Sequence, residues 1–382
     1  MGASLLNMLI LFATNFLNPH QLPLCEAFLK LEDVDFYFIA TTPTPEERLK
    51  LGFDDMNNKY DFVVKAYEND KEYQRATDLI SKADIVIYGS CLIDCRALNK
   101  NGLLLQHSER LFKKGFYQMK NPLFNYKLAK QYKTVDNEYF LSASAYLKKD
   151  FKFLNINKNR IIKWGYFTEL CEYDDSYFEK KYENNEPIKI LWSGRMLDWK
   201  RPIMALEVGK HLKERGINFK LEMVGTGPEA ENINKYIVDN ELEDYVINKG
   251  PLPYKEVRKK MEEAQIFLFT STTEEGWGAV LNEAMNSGCV CIASEYAGST
   301  NCLIEDGVNG YKFKTQKELN SLVEKAISSN NMKDIGIKAY KTIKNVWNAE
   351  EAVKRLIDAC KDYHIDKTIH FYDGEGPGSN DW

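Results

Sequence analysis

The sequence comprises 382 residues, of which 44% are hydrophobic and 28% are charged, with a formal net charge of −5. At roughly 100–200 residues per domain, this length predicts two domains, and the composition excludes an intrinsically disordered chain. The negative net charge excludes a general attraction to nucleic acid, so any basic surface must be local.

Short apolar runs alternate with amphipathic stretches along the chain, a rhythm that predicts α/β structure with parallel sheets. The first run, Leu5–Ala13, is too short to span a bilayer, which takes roughly 20 residues, and no basic region precedes it. We therefore interpret it as a buried strand. The other strands predicted in the first half are Phe36–Ala40, Ile85–Tyr88, Leu103–Gln106 and Tyr139–Ser142.

A charged and aromatic stretch without a clear period, between Gly165 and Pro187, predicts a domain boundary. The second half then follows the strand–helix order of a doubly wound domain. Its predicted strands are Ile188–Ser193, Lys220–Val224, Val246–Lys249, Ile266–Thr270 and Val290–Ala293, and its predicted helices are Pro202–Arg215, Glu229–Asn240 and Tyr254–Ala264.

These patterns divide the chain into an N-terminal domain of residues 1–170 and a C-terminal domain of residues 171–346. An amphipathic helix follows at residues 347–364, and then a tail at residues 365–382. The last residues, Asp373–Trp382, are rich in Gly, Asp and Pro, and we expect them to be frayed.

A polar loop with two glycines separates the strand that ends at Thr270 from a helix that begins near Ala279 and ends at Gly288. The free N–H groups and the partial positive charge of a helix N-terminus favour an anion at such a loop. Glu275 and Glu283 flank the loop, and a carboxylate accepts strong hydrogen bonds from sugar hydroxyls. The pattern therefore predicts a site for a long ligand with a phosphate between two acids.

Two more turns follow strands of the same domain. Gly194 and Arg195, with Lys200 five residues later, follow one strand, and the Gly225–Gly227 turn follows the next. Ligands of α/β sheets bind at the carboxyl ends of the strands, and Arg and Lys both hold phosphate. Taken singly, each element has a simpler explanation. The Gly225–Gly227 turn could be plain loop geometry, Arg195 and Lys200 could be a solvated surface pair, and Glu275 and Glu283 could be exposed acids at a helix end. The combination on one sheet edge favours a binding site.

This set of residues resembles the family 4 glycosyltransferases, which have the GT-B fold and transfer sugars with retention. The matching motifs are EGWGAVLNE, GRMLDWK, VGTGP and GVNG, all within Ile188–Lys314, and weaker similarity runs through the first half. The resemblance is to a bacterial subgroup associated with surface polysaccharides. It implies an α/β fold of two Rossmann-like domains facing a central cleft, with the C-terminal helix crossing back to the first domain.

The resemblance also implies roles for individual residues. Arg195 and Lys200 would hold the donor diphosphate, Glu283 the ribose and Glu275 the donor sugar, while Gly194 and Gly225 would line the donor site. Backbone groups near Leu252 would contact the base, for which uridine is expected. The backbone N–H groups that would line the sugar and phosphate belong to Gly276, Trp277, Gly278, Ala279 and Val280.

In the first domain, His107 is similar to the family histidine that contacts the donor sugar, so it joins Arg195, Lys200 and Glu275 among the predicted catalytic residues. His20, Gln21 and Glu109 are predicted on the acceptor side, although Glu109 and Arg110 could instead pair with each other. Many relatives carry a Gly-Gly turn where this chain has Asn18–Gln21, which leaves donor binding by the first domain open.

No metal or cofactor is expected, because no obvious D-x-D motif ends a strand and cationic side chains would replace a metal's charge. The eight cysteines have no paired C-x-x-C spacing, which favours reduced thiols and a cytoplasmic location. The expected partners are a nucleotide-sugar donor and a saccharide or lipid-linked saccharide acceptor, and not nucleic acid. A nucleotide-sugar epimerase and a non-catalytic nucleotide-sugar-binding protein remain alternatives.

The stretch 110–133 contains seven basic and six aromatic residues but no acidic residue. Basic and aromatic residues on a helix suit an anionic membrane surface. The hypothesis is that this stretch docks the protein on the inner face of the plasma membrane, near a lipid-linked acceptor. The alternative is a solvated face whose aromatic side chains are buried in the core.

Overall fold

The structure, a computed structural model, describes residues 7–50, 54–183 and 187–380. These residues form two compact units. Unit 1 contains the chain up to Leu111, Asn121–Thr168 and the residues from Ala349 onward. Unit 2 contains Phe112–Lys120 and Glu169–Asn348.

A parallel sheet forms the centre of unit 1, and seven of its strands lie within the described residues, in the order β3-β2-β1-β4-β5-β6-β7. Ile10 pairs with Phe36 on one side and with Ile85 on the other, so the order reverses beside the first strand. The strands are β1 Met8–Thr14, β2 Val34–Ala40, β3 Val63–Lys65, β4 Ile85–Tyr88, β5 Leu103–Ser108, β6 Glu138–Ser142 and β7 Ile161–Lys163.

Helices cover this sheet, so its strands are mostly apolar, as parallel strands covered on both faces require. Ile10, Leu11 and Ala13 of β1 are fully buried. The helices of the first part of the chain are α1 Leu22–Leu29, α2 Glu46–Lys50, α3 Asp70–Lys82, α4 Cys95–Leu98, α5 Phe116–Met119, α6 Pro122–Gln131 and α7 Leu147–Phe153, of which α5 lies in unit 2.

The sheet of unit 2 is also parallel, with six strands among the described residues in the order β10-β9-β8-β11-β12-β13. This is the strand order of a doubly wound nucleotide-binding domain. The order reverses between β8 and β11, where Ile190 pairs with Ile266. The strands are β8 Ile188–Ser193, β9 Phe219–Val224, β10 Val246–Gly250, β11 Ile266–Phe269, β12 Val290–Ser294 and β13 Tyr311–Phe313.

The helices of unit 2 pack their apolar faces on this sheet. The Thr315 side chain accepts from the Glu318 backbone N–H, and Glu318 reaches back to the Thr315 backbone, a capping box that fixes where α14 begins. The helices are α8 Asp175–Glu183, α9 Pro202–Glu214, α10 Ala230–Asp239, α11 Tyr254–Glu263, α12 Val280–Asn286, α13 Thr300–Leu303, α14 Gln316–Ser328 and α15 Met332–Asn345.

Two C-terminal helices, α16 Ala349–Cys360 and α17 Tyr363–Asp366, belong to unit 1. The buried face of α16, which includes Val353 and Leu356, packs in unit 1, where α16 contacts α1. The predicted return of the C-terminal helix to the first domain is therefore confirmed.

The expectation of a frayed C-terminus is wrong for the described part of the tail. Lys163 at the end of β7 donates its backbone N–H to Ser379 and accepts from Gly378. The Arg355 guanidinium donates to the carbonyl of Glu375 and lies 3.9 Å from the ring centroid of Tyr372. These contacts fix the Gly-rich tail against the edge of the sheet.

The predicted strands are confirmed, with ends shifted by one or two residues, for every run that lies within the described residues. The start of the first, Leu5–Leu6, lies outside them. The sequence did not predict the three-residue strands β3, β7 and β13. The stretch between Gly165 and Pro187, which shows no clear hydrophobic period in the sequence, contains α8, and this helix packs on α15.

Candidate functional site

Three loops lie together at the carboxyl edge of the unit 2 sheet. Gly194 donates its backbone N–H to Val224 at 3.0 Å, and Gly225 donates to Gly250 at 2.9 Å. A Cβ on Gly225 would lie 1.9 Å from the Gly194 carbonyl oxygen, and the φ of Gly225 is +138°. Only glycine fits there, so the tight turn is needed for this close approach.

Lys200 and Glu275 form an ion pair at this edge. Lys200 ends a 3₁₀ turn, Asp198–Lys200, that follows β8, whereas Glu275 lies in the loop after β11. Their side chains are only 15% and 10% exposed. The Ser271 hydroxyl also donates to the Glu275 carboxylate at 2.9 Å. The structure thus brings two predicted site residues into contact. Neither is an exposed, solvated surface group, which was the simpler explanation of each.

The turn that carries Lys200 is held by groups that the sequence did not predict. Arg201 has a left-handed backbone, with φ +49°. Its guanidinium donates to the Thr270 carbonyl at 2.6 Å and to the Ser294 hydroxyl at 2.9 Å. The Thr270 hydroxyl in turn donates to the Lys200 carbonyl at 2.6 Å. The sequence signal that could have revealed the role of Arg201 was its position between Lys200 and a helix that begins with a proline.

The glycine loop after β11 has a fixed backbone. Gly298 donates its N–H to the Glu275 carbonyl at 3.1 Å, and Ser299 donates to the Trp277 carbonyl at 3.2 Å. Gly278 has φ +90°, and a Cβ there would lie 2.3 Å from a ring carbon of Phe269. The glycine therefore lets the loop pass directly over the strand.

Trp277 takes part in the site through its backbone, because its indole is buried. The indole N–H donates to Asn282 at 2.8 Å, and the ring lies 5.7 Å from that of Trp347. Within the described residues, no protein oxygen accepts from the backbone N–H groups of Gly276, Trp277, Gly278 and Ala279. Val280 begins α12, which is only seven residues long, so its dipole is weaker than that of a long helix.

Glu283 lies on α12 and is buried. Burial raises the pKa of its carboxyl to about 7, and the nearby Arg258 guanidinium opposes the rise. Leu252 is half-buried in the loop after β10. Arg195 is exposed on the loop after β8. All of these predicted residues thus lie on loops or helix starts at the same edge of one sheet.

In unit 1, His107 lies near the end of β5 and is half-buried. Its ring meets the Tyr166 ring edge-on, with the centroids 5.1 Å apart. Burial lowers the pKa of His107 below its ordinary value, against the opposing charge of Glu109. The Tyr166 hydroxyl donates to Glu109 at 3.1 Å. The predicted His107 and Glu109 therefore share one tyrosine as a neighbour.

Arg110 does not form an ion pair with Glu109 among the described contacts. Its guanidinium lies 3.9 Å from the Asp150 carboxylate and 4.8 Å from the centroid of the Tyr146 ring. Arg110 thus contacts Asp150 and Tyr146 of unit 1.

His20 and Gln21 lie in the turn before α1. The Gln21 side chain is buried, and its carbonyl oxygen accepts from the Asn18 backbone N–H at 3.1 Å. Burial, with a smaller contribution from Arg48, lowers the pKa of His20 to about 4, so the imidazole is neutral at pH 7. Gln21 thus closes its own turn.

Over the described ranges 7–50, 54–183 and 187–380, the His, Cys, Asp and Glu side chains form no cluster that would hold a metal ion. None of the helices in these ranges is long and apolar enough to cross a membrane.

Residues 174–342 match the family described as glycosyl transferases group 1. This part of the chain is similar to that family. It contains all the predicted donor-site residues, and the resemblance stated from the motifs is confirmed there. The match lies within unit 2, whose strand order and turns are those described above.

Curated relatives match over shorter stretches. The chain is 33% identical over 132 residues to the amylovoran biosynthesis glycosyltransferase AmsK of Erwinia amylovora, which covers 33% of this chain and 32% of that protein. It is 31% identical over 117 residues to the putative colanic acid biosynthesis glycosyltransferase WcaL of Escherichia coli K12, 29% of each chain. The chain thus spans about a third of the length of these two relatives.

Solved structures resemble nearly the whole chain. Alr3699/HepE of Anabaena, in complex with UDP, superposes with a TM-score of 0.63 at 14% identity over 91% of this chain and 98% of that one. A glycosyltransferase of Rickettsia africae gives a TM-score of 0.63 at 17% identity, over 94% and 99% of the two chains. At this identity the likeness shows the fold alone, and it confirms the predicted GT-B class of two Rossmann-like units.

Proposed function

We propose that this chain is a glycosyltransferase that moves a sugar from a nucleoside-diphosphate sugar, with UDP favoured, to a saccharide or lipid-linked saccharide. The observation that carries the proposal is the buried Lys200–Glu275 pair beside four consecutive backbone N–H groups at the carboxyl edge of the unit 2 sheet. A cation, a carboxylate and backbone N–H groups suit a ligand that carries both phosphate and hydroxyl groups.

In this proposal, each group of the site has one task. Lys200 and Arg195 bind the diphosphate and stabilise the charge that develops on the leaving group. Glu275 accepts from the sugar hydroxyls, and Glu283 accepts from the ribose. The backbone near Leu252 contacts the base, as the resemblance implies.

The residues of unit 1 enter the proposal through the resemblance and their place at the ends of strands. His107 contacts the donor sugar, and its lowered pKa keeps the imidazole neutral, able to donate one hydrogen bond without adding a charge. His20, Gln21 and Glu109 belong to the acceptor side. The buried role of Gln21 in its own turn makes it the weakest of these assignments.

Retention and independence of metal are part of the same proposal. Lys200, Arg195 and the loop N–H groups supply the positive charge that a metal would bring to a diphosphate. The acceptor attacks the face from which the nucleotide leaves, and the leaving phosphate takes the proton. NMR of the product's anomeric proton tests retention, and unchanged turnover in EDTA tests metal independence.

The comparisons support bacterial surface polysaccharide synthesis as the setting, and a cytoplasmic location is part of the proposal. The relatives AmsK and WcaL are named for amylovoran and colanic acid synthesis. One structural neighbour was solved with UDP. Both findings favour a UDP-sugar donor and a saccharide acceptor for this chain.

Nucleotide binding tests the donor site directly. Isothermal titration with UDP, GDP and ADP should give the tightest binding with UDP. Lys200→Ala should weaken it at least tenfold, because a hydrogen bond to a charged group contributes about 1.5–3 kcal/mol. Lys210→Ala, an exposed lysine on α9, is the matched control and should bind as the wild type does. Equal affinity in both variants would remove Lys200 from the site.

Product analysis separates the alternatives. A nucleotide-sugar epimerase would convert a UDP-sugar without any acceptor, whereas a non-catalytic binding protein would bind UDP and release no UDP from a UDP-sugar. A transferase joins the sugar to an added acceptor saccharide and releases one UDP for each sugar transferred. Release of UDP with no sugar joined to any acceptor would contradict transfer.

We also propose that helix α6 docks on an anionic membrane surface. Among its described residues none is buried, and Leu123 and Tyr126 are 74% and 69% exposed. Leu123, Tyr126, Lys127 and Lys130 have the spacing of one helix face. Phe112 is buried, but the exposed residues of α6 do not fit the alternative of aromatics packed in a core. Each lysine adds about 1 kcal/mol of attraction to anionic lipid.

Vesicle flotation tests this docking. The wild type should float with phosphatidylglycerol vesicles and not with phosphatidylcholine vesicles. The double variant Lys127→Glu/Lys130→Glu should lose this binding, whereas Lys71→Glu/Lys82→Glu on α3 should keep it. Equal binding to both vesicle types, or to neither, would overturn the proposal.

A further inference from the structure

Arg258 on α11 is a buried arginine that joins three parts of unit 2. Its Nη1 donates to the Glu283 carbonyl at 3.1 Å and to the Asn286 side chain at 3.0 Å. Its Nη2 donates to the Glu169 carbonyl at 3.0 Å. The guanidinium therefore fixes the helix that carries Glu283 against its neighbours.

Tyr254 is the first residue of α11 and directly follows the loop that holds Leu252. Its hydroxyl accepts from Arg258 Nη2 at 3.4 Å, on the guanidinium that also holds the Glu283 backbone carbonyl. The side chain is 36% exposed. The phenol thus lies between the open edge of the site and the buried arginine that holds α12.

We propose that Tyr254 and Arg258 are positioning residues for the Glu283 carboxylate, and that through it they set a preference for ribose over 2′-deoxyribose in the bound nucleotide. This inference rests on the proposed function, in which Glu283 accepts from the ribose hydroxyls. It goes further by assigning a specificity to two residues that the motifs do not include.

The chemistry of the three groups explains why such support is needed. A buried carboxylate without partners takes up a proton and loses its ability to accept two strong hydrogen bonds. The Arg258 charge favours the ionised form of Glu283, and burial opposes it. Tyr254 bonds to Arg258 and so helps to hold the guanidinium, and with it the helix that carries Glu283, in place. An ionised carboxylate has roughly four acceptor positions, enough for both ribose hydroxyls.

Arg258 alone would be ambiguous, because it also holds α12 to Glu169. Tyr254→Phe is the sharper variant, since it removes a single oxygen and keeps the ring at the start of α11. Tyr236→Phe on α10 removes the same atom from a half-buried tyrosine of the same unit and is the matched control.

The test is calorimetric titration of the full chain with UDP and with 2′-deoxy-UDP. The wild type should prefer UDP. Tyr254→Phe should weaken UDP binding by about tenfold and 2′-deoxy-UDP binding by clearly less, so that the preference falls. Tyr236→Phe should leave both affinities unchanged. Arg258→Lys, which keeps the charge but loses the planar fork, should also reduce the preference.

The outcomes separate this inference from the proposed function. If the wild type does not bind UDP, the proposed function and the inference both fail. If the wild type prefers UDP but Tyr254→Phe weakens both nucleotides equally, or neither, the donor site stands and the inference is overturned. Because Tyr254→Phe decides the question by itself, a failure of Arg258→Lys to fold leaves the test intact.

Discussion

Glu283 makes donor binding dependent on pH. Its pKa is raised to about 7 by burial, with Arg258 and Tyr254 lowering it and Glu169 raising it. If the ribose binds only to the ionised carboxylate, affinity follows the ionised fraction, which is about 90% at pH 8 and about 10% at pH 6. The dissociation constant for UDP should therefore rise about tenfold between pH 8 and pH 6, or about 1.4 kcal/mol.

Calorimetry at pH 6, 7 and 8 measures this change, with Glu283→Gln as the reference. The UDP phosphate also takes up a proton near pH 6, but it does so in both proteins. The difference between the wild type and Glu283→Gln therefore isolates the carboxyl. If both proteins show the same pH dependence, Glu283 does not act on the ribose as a titrating carboxylate.

The same pKa has the opposite consequence for the stability of the unliganded protein. Because the folded pKa of Glu283 lies above its ordinary value of 4.5, the folded state binds more protons between pH 4.5 and 7. The contribution of this group to stability is present below pH 4.5 and falls as the pH rises through 7. Glu283→Gln should then stabilise the unliganded protein at pH 8, by at most on the order of 3 kcal/mol. Thermal unfolding measures this, and a lower melting temperature for Glu283→Gln would contradict the reasoning.

Three more predictions concern the loops of unit 2. Arg201→Gly should be more stable than Arg201→Ala by about 1 kcal/mol in thermal unfolding, because only glycine adopts the left-handed backbone without strain; equal melting temperatures would contradict this. Gly278→Ala should lose on the order of 2–4 kcal/mol from strain and a steric clash with a buried ring, whereas Gly307→Ala, which has a similar φ but open space, should lose only about 1 kcal/mol. Lys200→Ala and Glu275→Ala should each cost about 3–5 kcal/mol in urea unfolding, and the double variant should cost less than their sum; simple additivity would contradict a buried pair.

The sequence predicted the elements whose signal is local. Largely buried parallel strands such as β1 and β11 are continuous apolar runs, so their positions were predicted to within a few residues. The short strands β3, β7 and β13 have only three residues each, too few to separate from loops by pattern. The tail was misread because its glycines and prolines suggested fraying, whereas its order comes from the distant Arg355.

The residues of the candidate site also fall into those with a local sequence signal and those without one. Lys200, Glu275 and Glu283 lie in motifs with fixed spacing, so a resemblance could select them. Arg201 and Arg258 act through side-chain contacts with residues that lie far away in the sequence, such as Thr270, 69 positions later. No spacing rule connects such partners, because their contact depends on the order of strands in the sheet.

The ion pair between Lys200 and Glu275 is compatible with the proposed roles of both residues in binding a donor. An ammonium group has three N–H donors, and an ionised carboxylate has roughly four acceptor positions. The bonds from Lys200 and Ser271 both go to Oε2 of Glu275. Sugar hydroxyls can therefore bind through Oε1, and phosphate oxygens through the remaining N–H groups of Lys200, without breaking the pair. The pair would then orient both groups before the donor arrives, which reduces the entropy lost on binding.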